Sequence, residues 1–237
     1  NPSVLSPRNP VGLLNLRDDL QRNNRFLGNI LFDYQPFSSK DLHLFMNIGG
    51  EQSSTSGTVF IPAAAAMNFN NGGENNQYNS ARTNRLIELY GNYKDKISEN
   101  ITSDLTAGYS FQHWTSSSPS YPNLNASGDT ISPANPNPFF TENALMSFYG
   151  RTNFNISNKY LLTATIRSDG SSRFSKTARW GFFPSAALGW NINEEAFFKD
   201  LKVFSKLKLR VGYGVTGQQD IYNDYGYIPN YNYGTAT

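Results

Sequence analysis

The sequence predicts an all-β fold: an antiparallel transmembrane β-barrel segment of about eight strands belonging to a larger barrel. Three observations carry this. Apolar and polar residues alternate with period two in eight segments, most segments are about ten residues long, and the connections alternate short and long apart from one medium link, Glu194 to Ser205. Alternation puts residues i and i+2 on one face, so each strand has one apolar and one polar side. About ten residues is what a tilted strand needs to cross a bilayer, whereas globular strands run nearer five or six.

The first segment, about Arg25 to Gln35, sets Phe26, Gly28, Ile30, Phe32 and Tyr34 against Asn29 and Asp33. The second, about Lys40 to Glu51, sets Leu42, Leu44, Met46 and Ile48 against His43, Asn47 and Glu51. The third, Asn84 to Lys94, opposes Ile87, Leu89, Gly91 and Tyr93 to Glu88, Asn92 and Lys94. The fourth, Asn100 to Trp114, opposes Leu105, Ala107, Tyr109 and Phe111 to Asp104, Thr106, Ser110 and Gln112. The fifth, Ala144 to Ser157, carries Met146, Phe148, Gly150, Phe154 and Ile156. The sixth, Lys159 to Asp169, opposes Tyr160, Leu162, Ala164 and Ile166 to Thr163, Thr165, Arg167 and Asp169. The seventh, Gly181 to Asn193, places Phe182, Pro184, Ala186, Leu188, Trp190 and Ile192 on one side. The eighth, Lys206 to Thr216, opposes Leu207, Leu209, Val211, Tyr213 and Val215 to Lys208, Arg210, Gly212 and Gly214.

Pro36 to Ser39, Asp95 to Glu99 and Ser157-Asn158 are short connections; Gln52 to Thr83, Thr115 to Asn143 and Gly170 to Trp180 are long. Outer-membrane barrels have this asymmetry, with short periplasmic turns and long extracellular loops. Tyr34, Tyr93, Tyr160 and Trp190 sit beside short connections, where amphipathic rings favour the headgroup region, and form an expected periplasmic girdle. In the link after the seventh segment, Phe197, Leu201 and Phe204 recur at helical spacing, with Glu194 and Glu195 suited to a helix start. That helix is expected to pack its apolar side at the barrel rim.

Composition excludes several classes. The net charge is +2 with scattered Lys and Arg, so no nucleic-acid footprint is visible. With no cysteine, disulfide frameworks and thiolate metal sites are excluded. Charged residues are 16% and aromatics 14%, which is not a disordered composition. The longest uncharged apolar run, Ile61 to Met67, is too short for a membrane helix, but barrel strands show lipid only every second residue. No signal peptide is visible, and both ends read as internal, so the chain is expected to be an internal piece.

The stretch from Lys159 through Tyr160-Leu-Leu-Thr-Ala-Thr-Ile-Arg167-Ser-Asp169-Gly to Arg173-Phe174 resembles the most recurrent barrel signature of the SusC/RagA family. Trp180-Gly-Phe-Phe-Pro-Ser-Ala-Ala-Leu-Gly-Trp190, Asn193-Glu-Glu195 with Phe198, and Leu207 to Gln218 with Ile221 and Tyr225 follow in the family's order and spacing. Asn9-Pro10 and Arg25-Phe-Leu-Gly-Asn29 also resemble it. The resemblance covers most of the chain, most densely Ser147 to Tyr227. It implies a TonB-dependent outer-membrane barrel of about 22 strands. It further implies a plug domain and a TonB-contacting segment that are not in this chain, and a SusD-like surface lipoprotein as lid. The cargo it implies is a glycan or a peptide, so the expected partners are that lipoprotein, TonB, outer-membrane lipid and an oligosaccharide or peptide substrate.

Candidate substrate contacts are Arg167, Asp169 and Arg173, which flank an Asp-Gly turn at the expected barrel mouth, and the loop aromatics Trp114, Tyr121, Tyr222 and Tyr225. A structural charge network holding a loop is the simpler role for the first three. Gly212-Tyr-Gly-Val-Thr-Gly217 fits a dinucleotide fingerprint by letters, but no helix periodicity follows, so glycines letting the plug approach are the better reading. His43 and His113 lack carboxylates at ligand spacing, so no metal or cofactor is expected. No Ser-His-Asp order or serine elbow suggests an enzyme. The sequons at Asn100, Asn125 and Asn155 read as chance in an Asn-rich chain. The competing readings are a passive porin-like channel and, from another class, a soluble carbohydrate-binding β-sandwich with both apolar faces covered.

Overall fold

The structure, a computed structural model, describes residues 10–36, 41–199, 206–221 and 223–229. The chain forms β1 (Asp18–Tyr34), β2 (Leu42–Ile61), β3 (Glu74–Ser98), β4 (Ile101–Ser118), β5 (Asn123–Leu124), β6 (Thr130–Ser132), β7 (Phe139–Ile156), β8 (Tyr160–Ser171), β9 (Trp180–Phe182), β10 (Ser185–Asn191) and β11 (Lys208–Gly214). Two α-helices are described, α1 (Pro10–Leu16) and α2 (Ala196–Lys199). One sheet has the order β1-β2-β3-β4-β7-β8-β10-β11, with β9 on β8, while β5 and β6 pair separately. Each long strand therefore neighbours the next long strand in sequence, the meander of an up-and-down barrel wall.

Two expectations need correction. The first five long strands have 17, 20, 25, 18 and 18 residues, well beyond the ten needed for crossing. The connection expected over Gln52 to Thr83 is reduced to residues 62–73, and Trp114 lies inside β4 rather than in a loop. The added strand segments, such as Gln52-Ser-Ser-Thr-Ser-Gly57 and Asn75-Asn-Gln-Tyr-Asn79, carry little apolar residue on either face. A strand wetted on both faces keeps its backbone ladder without needing alternation. The expected seventh strand is also split, because Pro184 has no N–H to donate to a ladder. The register does not slip across the break: Phe182 faces Ser168, and Ser185 faces Thr165.

The chain divides into two compact units. Unit 1 comprises residues 1–28, 50–84 and 114–142 and holds the long connections 62–73 and 119–138. Its small core is Val59, Ile61 and Ala65, with Met67 and Tyr78 packed against it. Within it the backbone N–H of Ala126 donates to Gly72 O at 3.0 Å, and that of Leu124 to Asn76 Oδ1 at 2.8 Å. The two connections are thus tied together. Gly73 makes the tie possible: its φ is +87°, and a Cβ there would collide with Ile61 O and Ala126.

Unit 2 comprises residues 29–49, 85–113 and 143–237 and holds the short turns. Ser157 and Asn158 have φ of 53° and 58°, and Lys159 N donates to Ile156 O at 2.9 Å. Paired left-handed residues make a type I′ hairpin, whose twist suits the flanking strands. The antiparallel register then stacks side chains in rows: Phe154, Leu162, Leu188 and Val211 form one row, and Ile156, Tyr160, Trp190 and Leu209 another. Leu162, Leu188 and Val211 are 44%, 49% and 64% exposed. Among the described residues these rows stay open to the surroundings.

Candidate functional site on the polar face

The polar face of unit 2 is the complement of those rows. Asn29 Nδ2 donates to Asn47 Oδ1 at 3.3 Å, and Asn47 Nδ2 donates to Glu88 Oε2 at 2.9 Å. Asn92 Nδ2 donates to Asp104 Oδ1 at 2.6 Å and Thr106 Oγ1 at 2.9 Å, and Thr163 Oγ1 donates to Asn153 Oδ1 at 2.8 Å. Each pair bridges strands, so side chains satisfy one another across the ladder. Aromatics share this face: Phe45 stacks on His43 and, at 4.7 Å between centroids, on Tyr90. Gly108 leaves the space into which Tyr90 and Tyr149 both lean, since a Cβ there would stand 2.6 Å from Tyr90 Cβ and 2.8 Å from the Tyr149 ring.

Toward the far end of β8 a cavity of about 630 Å³ opens on the same face, lined by Arg167, Asp169, Phe183, Ser185, Gly214 and Gln218 among others. Arg167 Nε donates to Asp169 Oδ1 at 2.7 Å and Oδ2 at 3.0 Å, and its Nη2 donates to the fully buried Ser147 Oγ at 3.0 Å. Asp169-Gly170 is not a turn, as the sequence suggested. β8 continues through Ser171, and Trp180 lies over Gly170, where a Cβ would come within 2.9 Å of the indole.

Arg173 is a clasp. Its Nε donates to Asp224 Oδ1 at 2.7 Å, and its Nη1 to Gln219 O at 3.2 Å and Asp220 Oδ1 at 3.3 Å. Asn143 Nδ2 adds a bond to Asp224 Oδ1 at 3.2 Å. Tyr225 sits in the following turn, its N–H donating to Asn223 Oδ1 at 2.9 Å. Trp114 and Tyr121 belong to unit 1, and Tyr222 lies outside the described residues.

The sequence reading missed the role of Glu195. It precedes α2, and its backbone O accepts from Phe198 N at 3.0 Å, as a helix start requires. Its carboxylate, however, takes Lys159 Nζ at 2.9 Å, Tyr160 OH at 2.8 Å and Trp190 Nε1 at 3.1 Å. These donors, Lys159 foremost, hold the carboxyl down at about 2, and the same contact raises the Lys159 ammonium above its ordinary value. Two expected girdle aromatics, Tyr160 and Trp190, thus stand opposite each other in register with their polar tips on one anion. Nothing in sequence spacing marks this, because Glu195 meets residues 35 and 36 positions away. Phe197 is 65% exposed, and Leu201 and Phe204, the other residues of the expected apolar helix face, lie outside the described residues.

The family described as TonB dependent receptor-like, beta-barrel, matches residues 3–237. The chain belongs to this family. It is 38% identical over 98% of its length to the TonB-dependent receptor SusC of Bacteroides thetaiotaomicron, spanning 23% of that protein. It is 30% identical over 90% of its length to TonB-dependent receptor P3 of Formosa agariphila, spanning 22% of it. The chain therefore spans about a quarter of the length of these curated relatives. Its fold superposes on the RagAB peptide transporter with a TM-score of 0.78 and 20% identity, covering 90% of this chain and 24% of that one. This TonB-dependent receptor segment is SusC/RagA-like, and it is part of an outer-membrane β-barrel. Its apolar rows accordingly face lipid, and its polar face the barrel interior.

Proposed function

We propose that this chain is wall and loops of a TonB-dependent outer-membrane importer of glycans or peptides that works with a SusD-like surface lipoprotein. The observation that carries the reading is the two-faced sheet of unit 2 in a chain whose family match spans residues 3–237. One face suits lipid, and the other offers amide, hydroxyl, carboxylate and aromatic groups to a polar interior. The SusC relative and the RagAB fold relative, named a peptide transporter, support this reading. In this reading the plug domain and the TonB-contacting segment belong to other parts of the receptor. Closure of the whole barrel satisfies the outer strands, whose edges lipid could not solvate.

Arg167 and Asp169 line the interior cavity and are the stronger candidates for cargo contact. Arg173 serves by holding segment 219–224 in place. Trp114, Tyr121, Tyr222 and Tyr225 are offered as aromatic surfaces for sugar or peptide. Tyr34, Tyr93, Tyr160 and Trp190 are offered as the periplasmic girdle, with Glu195 anchoring the last two.

The test is purification of the complete receptor from outer membranes in mild detergent, with mass spectrometry of what accompanies it, and uptake assays with and without TonB. A co-purifying surface lipoprotein, a bound oligosaccharide or peptide, and uptake that collapses without TonB are expected. A lone barrel with TonB-independent flux would make it a passive channel instead.

A further inference from the structure

The cavity of about 630 Å³ at the far end of β8 falls within the roughly 300–1,000 Å³ of sites that hold a small molecule. Its charged lining residues are Arg167, Asp169 and Arg179. Arg167 and Asp169 neutralise each other at 2.7 Å. Arg179 has no such partner among the described residues, and its Nε is shut off from solvent without a hydrogen bond. The backbone fixes which way it faces. Gly170 pairs with Trp180, and Ser171 N donates to Arg179 O at 3.1 Å, which carries the β8–β9 ladder one residue further. Arg179 therefore lies opposite Ser171, on the polar side with Arg167 and Asp169 and away from the side of Trp180. A guanidinium stays charged in proteins and offers five N–H donors. Buried without an acceptor it is costly, and few buried polar atoms go unpaired. With the Arg167–Asp169 pair cancelled, the lining carries one net positive charge.

We propose that this cavity binds the carboxylate of a sugar acid in the cargo, with Arg179 as its anchor. The inference rests on the importer reading and narrows its cargo to acidic glycans. A planar carboxylate suits the guanidinium fork and matches the single leftover charge. A phosphate dianion would bring a second negative charge close to Asp169. Around the anchor, Thr165, Ser185, Thr216, Gln218 and Gln219 line the cavity with hydroxyls and amides. A sugar acid carries several hydroxyls beside its carboxylate and can pair with such a lining. The carboxylate end of a peptide carries a single amide N–H there.

The experiment is calorimetric binding to the complete receptor, purified in mild detergent with whatever lipoprotein accompanies it. The probes are oligosaccharides of galacturonic, glucuronic and mannuronic acid, and the same oligosaccharides with their carboxyl groups reduced to alcohols. Short peptides with free and with amidated C-termini complete the set. At least one acidic oligosaccharide is expected to bind about 10- to 100-fold tighter than its reduced counterpart, the worth of a hydrogen-bonded charge. Arg179→Gln is expected to erase that difference. Lys176→Gln, which removes an exposed cation outside the cavity lining, is expected to keep it. Should Arg179→Gln fail to fold, Arg179→Lys keeps the charge without the fork and is expected to reduce the preference several-fold. Equal affinity for acidic and reduced forms throughout overturns the proposal. So does a preference that survives Arg179→Gln, or one shown only for free over amidated peptides. TonB-dependent uptake measured in parallel separates the two readings. Uptake without an acid preference sinks this inference alone, whereas an acid preference lost in Arg179→Gln without TonB-dependent uptake sinks the importer reading alone.

Discussion

The stretches of β2 in unit 1 and of β8 in unit 2 belong to the same sheet yet obey different rules. In β8 every second residue from Tyr160 to Ile166 is exposed and apolar or small, and the residues between are partly covered. In β2 from Gln52 to Thr58 the residues are Ser, Thr, Gly and Gln throughout. Both are regular strands. The difference teaches that alternation is written by a lipid boundary, while the ladder itself is indifferent to it.

A charge placed on each strand should meet opposite environments. Ile166→Arg puts a cation on the lipid face and is expected to destabilise the folded barrel by about 2–4 kcal/mol if it lies near mid-bilayer. Ser56→Arg in unit 1 is expected to change stability by less than about 0.5 kcal/mol. Equilibrium unfolding from lipid vesicles checks both.

The next effect is at the clasp. Arg173→Ala removes bonds to Asp224, Asp220 and Gln219 and is expected to cost about 1.5–3 kcal/mol locally. Limited proteolysis should then cut the segment around 218–224 at least several-fold faster, with the strands intact. In unit 1, Gly73→Ala must adopt a left-handed φ and meet Ile61 O, at a cost of about 1–3 kcal/mol. Faster cleavage within 62–73 is the readout, and the β8 region should be unaffected.

The smallest effect is pH-dependent. The Glu195 carboxyl titrates near 2 in the fold, against about 4.3 when unfolded. Its contribution is therefore present above about pH 4.3 and lost as pH falls toward 2. Glu195→Gln should flatten that part of the stability profile and leave the neutral range nearly parallel. A profile unchanged by the substitution would mean that Lys159, Tyr160 and Trp190 do not depend on the charge.

How much was legible follows the same boundary. The eight apolar rhythms were readable because lipid selects them, and the turn at Ser157-Asn158 because only two residues separate two such rhythms. The extra length of β1, β2, β3, β4 and β7 was not readable, since water on both faces leaves stretches such as Gln52 to Gly57 looking like loop. Arg167, Asp169 and Arg173 were picked out as charged residues, though the Asp-Gly turn expected beside them is continuous strand. Their partners Ser147 and Asp224 were not, because bonds across 20 and 51 positions leave no local trace.

The most direct test of the two-faced wall is a cysteine scan, for which the chain's lack of native cysteine is convenient. Spin labels would be placed singly at residues 160–167 and 52–58 of the complete receptor in bilayers, and their access to oxygen and to a water-soluble nickel chelate compared. Period-two oxygen access is expected over 160–167, peaking at Tyr160, Leu162, Ala164 and Ile166, with chelate access without that period over 52–58. Uniform chelate access along 160–167 would contradict the two-faced wall.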